Sequence, residues 1–305
     1  MKFTIFQESR IGRRKANQDR TAYSYSRDAL LMIVADGMGG HLHGEIAAQI
    51  SVQFITEAFQ REATPALPDP IFFLSRALTN AHNAIVDYAF DKHLPEAPRT
   101  TVVACIVQEG FAYWAHAGDS RLYTLRRGRI AVRTRDHSRV QMMMDQGLLD
   151  EAGAANHPGR NRIYSCLGGN HPPQIEYSKP FQLRDGDIVM LCSDGLWGPL
   201  KDDDVLAGLA GADVMQAVPK LLDHSEALAG KLCDNLSMVA MCWQDDTGAV
   251  AGDSISTRTM AQDRFTTRLD TFDRNRSSAN AFDLTEDEIE RAIAEINSAI
   301  QKFSK

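Results

Sequence analysis

The sequence predicts an α+β protein built from antiparallel sheets covered by helices, and three observations lead to that class. Seven stretches rich in β-branched and apolar residues read as strands, and four with apolar residues at helical spacing read as helices. Their order is strand, strand, a pair of long helices, strands, helices, strand, which lacks the alternation of a parallel βαβ fold. A hydrophobic share of 44% over 305 residues suffices for one large core. Such a core fits a domain of about 240 residues, with a remainder.

Lys2–Glu8 and Leu30–Ala35 are the first predicted strands. Glu45–Glu62 and Pro70–Lys92 follow as helices. Strands resume at Thr100–Gln108, Ala112–Ala117 and Arg121–Leu125. Arg126, Arg127, Arg129, Arg133 and Arg135 come next and are expected to decorate the solvent face of a hairpin. Gln146–Gly169, with Gly147, Gly153, His157-Pro158-Gly159 and Gly168-Gly169, reads as a mobile loop segment. A strand at Ile188–Cys192, helices at Asp204–Gly208 and Asp213–Leu228, and a strand at Leu236–Trp243 complete the set.

After Trp243 the composition turns to Asp, Ser, Thr, Arg and Gly, so residues 1–244 are expected to form one domain and 245–283 a polar linker. Residues 284–303 then read as an amphipathic helix. Thr285 and Glu288 make a capping box, and Ile289, Ile293, Ile296, Ile300 and Phe303 form a narrow apolar stripe. A stripe this short does not stand alone, so the helix either docks on its own chain or recruits a protein partner.

Net charge is −7 with the acidic residues spread out, which gives nucleic acid no basic footprint to bind. The longest purely apolar run, Ala29–Ala35, is far too short to span a bilayer, and no targeting segment is evident. Five cysteines without a C-x-x-C pair fit free thiols in a reducing compartment, so a cytoplasmic location is expected. None has arginine six residues on, which excludes the Cys-x5-Arg loop of a thiol phosphatase.

Five aspartates carry the chemistry, each in a glycine- or asparagine-containing string at the end of a predicted strand. They are Asp19 in Asn17-Gln18-Asp19, Asp36 in Asp36-Gly37-Met38-Gly39-Gly40-His41, Asp119 in Gly118-Asp119-Ser120-Arg121, Asp194 in Ser193-Asp194-Gly195, and Asp234 in Asp234-Asn235. Carboxylates gathered at one end of a sheet cannot all stay ionised unless cations sit among them. Oxygen donors suit Mg2+ and Mn2+, and the sequence shows neither His nor Cys pairs at zinc spacing. Two such ions about 3.5–4 Å apart activate water against a phosphoryl group, so phosphoester hydrolysis leads the reaction classes.

The identity and order of these strings, together with Gly12-Arg13-Arg14 and Asp136-His137-Ser138, resemble those of the metal-dependent type 2C protein serine/threonine phosphatases, the compact bacterial members in particular. The resemblance covers residue 1 to about 244. It implies a four-layer αββα sandwich with the metal centre in a cleft at one end. It further implies that Asp36 bridges two ions with help from the Gly37 carbonyl, that Asp194 and Asp234 hold the first, and that Asp19 orients water on the second. Asp119 matches the ligand of a third site, Arg14 the arginine that grips phosphate, and His41 a donor to the leaving oxygen. Gln146–Gly169 corresponds to the flap beside the cleft.

Gln18 and Gly198 depart from the pattern, standing where many members have carboxylates. The second departure weakens the expectation of a third ion. Asp136-His137-Ser138 is too compact in sequence to converge as a triad and reads as structural. The implied partners are phosphorylated proteins and a Ser/Thr kinase whose action is reversed. A phosphoprotein-binding regulator without turnover, and a different two-metal hydrolase, stand as alternatives.

Overall fold

The structure is a computed structural model that describes residues 1–38, 43–211, 213–244 and 255–257. These lie in one compact unit, Met1–Thr267. Strands β1 (Lys2–Arg10), β2 (Asp19–Tyr25) and β3 (Ala29–Asp36) lead into helices α1 (Gly44–Glu62) and α2 (Pro70–Asp91). A short β4 (Arg99–Thr100) precedes β5 (Val102–Gln108), β6 (Phe111–Ala117), β7 (Arg121–Arg126) and β8 (Arg129–Arg133). Short helices α3 (Arg139–Asp145) and α4 (Glu151–Asn156) are followed by β9 (Leu167–Gly168), β10 (Glu176–Tyr177) and β11 (Phe181–Gln182). The described chain ends with β12 (Ile188–Cys192), α5 (Asp194–Trp197), α6 (Asp202–Leu209), α7 (Val214–Ala229), β13 (Leu236–Gln244) and β14 (Ile255–Thr257).

The strands form two six-stranded sheets, one in the order β14-β1-β13-β12-β7-β8 and the other β10-β6-β5-β3-β2 with β11 also on β6, while β4 and β9 pair separately. Pairing is antiparallel throughout except between β1 and β14. Successive side chains leave a strand on opposite faces, so each central strand serves two cores. In β3, Leu30, Met32 and Val34 join Phe3, Ile5, Val189, Leu191, Val239 and Met241 between the sheets. Leu31 and Ile33 are fully buried on the other face, where α1 packs. On the second sheet, Ile188, Met190 and Cys192 pack on Val218, Leu221 and Leu222 of α7. The layers are therefore helix, sheet, sheet, helix, as the resemblance implies.

Burial on both faces explains why β3 reads as an unbroken apolar run rather than an alternation. The polar strand β2, Asp-Arg-Thr-Ala-Tyr-Ser-Tyr, escaped the sequence reading. Its polar residues Asp19, Thr21 and Ser24 are buried rather than exposed, so it shows no apolar alternation, and its register against β3 makes it a strand. Gln146–Gly169 contains a helix where a loop is expected. Asp150 caps α4 by accepting from Gly153 N at 2.7 Å, a role its glycine-rich neighbours obscured.

The arginine row is also more specific than solvent decoration. Arg126 pairs with Asp187, Arg133 with Asp202 and Arg135 with Asp145. The predicted helix at 284–303 and most of the linker lie outside the described residues, although β14 already places 255–257 against the β1 edge. Among the described residues no helix is long and apolar enough to cross a membrane.

Candidate metal centre

The strand ends at one end of the sandwich carry the five aspartates. Asp19 opens β2 and stands directly across from Asp36, the last residue of β3. Asp119 occupies the turn from β6 to β7, where the chain passes from one sheet to the other. Asp194 is the first residue of α5 after β12, and Asp234 lies just before β13, the strand paired with β12.

Close backbone approach holds these turns together. A Cβ on Gly37 would come within 2.4 Å of the Gly44 carbonyl oxygen, and one on Gly195 within 1.9 Å of the Asn235 carbonyl oxygen. The Gly195→Ala variant is therefore expected to lose about 3 kcal/mol of stability in denaturant unfolding. An unchanged midpoint would mean that the Asp194 and Asp234 turns are free to separate.

Side chains link the turns to one another. The Asp36 amide donates to Thr101 Oγ1 at 3.2 Å, and that hydroxyl shares a 2.7 Å hydrogen bond with Ser120, tying the Asp36 and Asp119 turns. Ser193 Oγ donates to Asp19 Oδ2 at 2.7 Å, and Trp197 Nε1 donates to the Asp119 carbonyl at 2.9 Å. Asn235 donates to the Ile11 and Ala16 carbonyls and accepts from Gln18 N, so the Asp234 turn is pinned to the Arg14 loop. Thr101, Ser193 and Trp197 went unnoticed as site residues in the sequence, because their partners are distant along the chain.

The electrostatics follow from this crowding. Burial, and then the carboxyls of Asp19, Asp194 and Asp119, hold Asp36 well above the usual carboxylate range. The side-chain contact with Asp194 raises Asp36 further and lowers Asp194, so of the two Asp36 keeps the proton. Asp194 is itself raised by burial and by Asp234, and Asp119 by burial, Asp194 and Asp136. Burial also pushes Asp19 up to about 7, against the hydrogen bonds from Ser193 and Ser237 that favour its charged form. Carboxyls packed this way keep protons until cations replace them, and an all-oxygen donor set suits Mg2+ and Mn2+. The residues fit a hard-cation centre.

Arg14 reaches the same cluster. Its Nε and one terminal nitrogen donate to the two Asp234 oxygens at 2.6 and 2.5 Å. Gln18 Nε2 donates to Glu45 at 3.1 Å, tying β2 to α1 and adding no carboxylate at position 18. Gly198 ends α5 with its N–H on the Asp194 carbonyl at 2.7 Å. His41 lies outside the described residues.

Within Asp136-His137-Ser138, Asp136 and Ser138 act as structure, as expected. Asp136 takes a bidentate hydrogen bond from Arg121, whose guanidinium lies over the Trp197 ring at 3.5 Å, and Ser138 caps α3 by accepting from Gln141 N. The string also anchors the end of the flap-like segment, since Arg139 N donates to the Arg162 carbonyl and Tyr164 N to the His137 carbonyl.

Residues 6–233 match the family model described as protein phosphatase 2C. The serine/threonine protein phosphatase PstP of Mycobacterium tuberculosis is 32% identical over 226 residues, covering 74% of this chain and 42% of that protein. The chain thus spans less than half the length of PstP. The serine/threonine phosphatase stp of Listeria monocytogenes is 31% identical over 186 residues, covering 60% of this chain and 73% of its own length. Among solved structures, the S. agalactiae serine/threonine phosphatase superposes with a TM-score of 0.71 at 27% identity, over 79% of this chain and 99% of that one. The catalytic domain of PstP in complex with two manganese ions gives 0.67 at 28%, over 80% and 99%.

Proposed function

Because the chain belongs to the protein phosphatase 2C family, we propose that it is a protein phosphatase that hydrolyses phosphoserine and phosphothreonine by a two-metal mechanism with Mn2+ or Mg2+. The observation that carries this reading is the crowding of the buried Asp19 and Asp119 with the half-buried Asp36 and Asp194 at one end of the sandwich, where desolvation and neighbouring aspartates raise all four carboxyls. The catalytic domain of PstP, solved with two manganese ions, supports the choice and number of ions.

Asp36 would serve both ions, with the Gly37 carbonyl completing the shell of one, Asp194 and Asp234 would hold the first, and Asp19 would orient water on the second. Asp119 is the carboxylate for a third. When bound, the ions supply a water nucleophile at neutral pH and neutralise charge on the phosphoryl oxygens. Arg14 would hold the substrate: its planar fork, which takes both Asp234 oxygens in this structure, has the geometry to take two phosphoryl oxygens and set phosphorus in line for attack. His41 is assigned to protonating the seryl or threonyl oxygen as it leaves. Arg14→Lys keeps the charge but loses the fork. It is expected to lower kcat/KM on a phosphothreonine peptide by about 10–100-fold, chiefly through KM. An unchanged KM would remove Arg14 from this role.

The reading includes a cytoplasmic enzyme opposing a Ser/Thr kinase, with residues 284–303 docking in cis or on a partner protein. The free state of all five cysteines supports the location. The test is phosphate release from a phosphothreonine peptide, a nucleotide and a DNA diester, each with manganese and with chelator. Manganese-dependent turnover of the peptide above the other two is expected. Preference for nucleotide or DNA would indicate a different two-metal hydrolase, and folded protein inert under every metal would indicate a phosphoprotein-binding regulator.

A further inference from the structure

A second cluster of metal-ligating side chains lies outside the aspartate set. Glu176 of β10 stands directly across from His116 of β6 in the antiparallel register, which puts the two side chains on one face of the sheet. His137 stacks on His116 with ring centroids 4.6 Å apart, and its Nε2 lies 3.5 Å from Glu176 Oε2. One ring nitrogen from each histidine and a carboxylate oxygen of Glu176 all lie within 4.8 Å of one another.

The state of His116 is the independent sign of a ligand. The ring is 2% exposed, and its Nε2 bonds the Arg135 carbonyl at 2.8 Å. A carbonyl only accepts, so Nε2 carries the proton and Nδ1 keeps a lone pair. That buried Nδ1 has no hydrogen-bond partner. An imidazole that donates one N–H to a backbone carbonyl and keeps its other nitrogen unpartnered has the donor pattern of a metal-bound histidine.

We propose that His116, His137 and Glu176 form a binding site for a borderline divalent metal, Zn2+ foremost, separate from the hard-cation centre of aspartates. Two imidazoles and one carboxylate are a donor set that zinc accepts with its fourth position open. The Glu176 side chain is 56% exposed, so an ion has a way in and the carboxylate has room to close on it. Burial lowers the pKa of both histidines, that of His137 to about 4, so the rings are neutral and free to ligate at pH 7. Ligation through His137 Nε2 puts that ring's proton on Nδ1, which gives up the 3.3 Å hydrogen bond from Gly118 N. This bond is at the long end of the range, and the 2.9 Å bond from His137 N to the Gly118 carbonyl still holds the two segments together.

The proposal does not depend on the phosphatase reading, and its test keeps the two apart. Full-length Asp36→Asn protein, with the aspartate centre disabled, is titrated with Zn2+ by calorimetry and with Co2+ by visible absorption, alongside the Asp36→Asn/Glu176→Ala protein. Glu176 is exposed, so its removal leaves the fold intact. The expected result is one Zn2+ per Asp36→Asn chain and the intense Co2+ bands of nitrogen ligation. Glu176→Ala should weaken zinc affinity by about tenfold or more. Equal zinc affinity with and without Glu176, or only the pale spectrum of oxygen-ligated Co2+, overturns the site.

Discussion

Asp36→Asn is expected to abolish turnover and, in the same protein, to stabilise the metal-free fold. Asp36 is assigned to both ions, so its loss removes metal stabilisation worth several kcal/mol. At about 1.4 kcal/mol per factor of ten, the rate of phosphopeptide hydrolysis should fall by roughly three orders of magnitude or more. Without metal the effect reverses. Asn reproduces the protonated carboxyl that shares a hydrogen bond with Asp194, and it removes a charge that Asp19, Asp194 and Asp119 resist. Chelated Asp36→Asn protein should therefore melt above chelated wild type at pH 7. A rate close to wild type would show that Asp36 is not a ligand, and a lower melting point in chelator that it is not crowded by its neighbours.

The second large effect is on pH dependence. Asp19 titrates near 4 when unfolded and is pushed up to about 7 in the fold. Between those values the native state binds more protons than the unfolded one. The stability associated with Asp19 is thus fully present below pH 4 and is lost as pH rises through 7. About 3 pH units correspond to something on the order of 4 kcal/mol. His137 acts in the opposite sense: its pKa, lowered by burial to about 4, gives stability that is lost as pH falls below about 6.5.

A comparison of wild type with Asp19→Asn, both chelated, cancels the histidine. The melting point of Asp19→Asn relative to wild type should climb steadily from pH 4 to pH 7. Manganese at pH 7 should return wild type's loss, with protons released on binding. A difference that is flat with pH would mean that Asp19 is not held in its neutral form.

The layered fold and the five aspartates were legible because their signals are local. β3 is apolar from Ala29 to Ala35, and each aspartate sits beside, or for Asp19 two residues after, a glycine or asparagine of its turn. What the sequence hid depends on pairing across long separations. β2 becomes a strand only through its register on β3, and the Asp36 and Asp119 turns meet through Thr101 and Ser120. Arg14 was legible as a phosphate ligand by resemblance, but its grip on Asp234, 220 residues away, was not. His116, His137 and Glu176 have no zinc-like spacing, because a strand pairing and a ring stack bring them together.

The central claim is that cations filling the aspartate cluster confer phosphatase activity. Titrating manganese into chelated protein while following bound manganese and phosphate release from a phosphothreonine peptide tests it most directly. The account predicts no turnover in chelator and a rate that rises as the second ion fills its place. Full turnover in chelator, or two manganese ions bound with the peptide left intact, would contradict it.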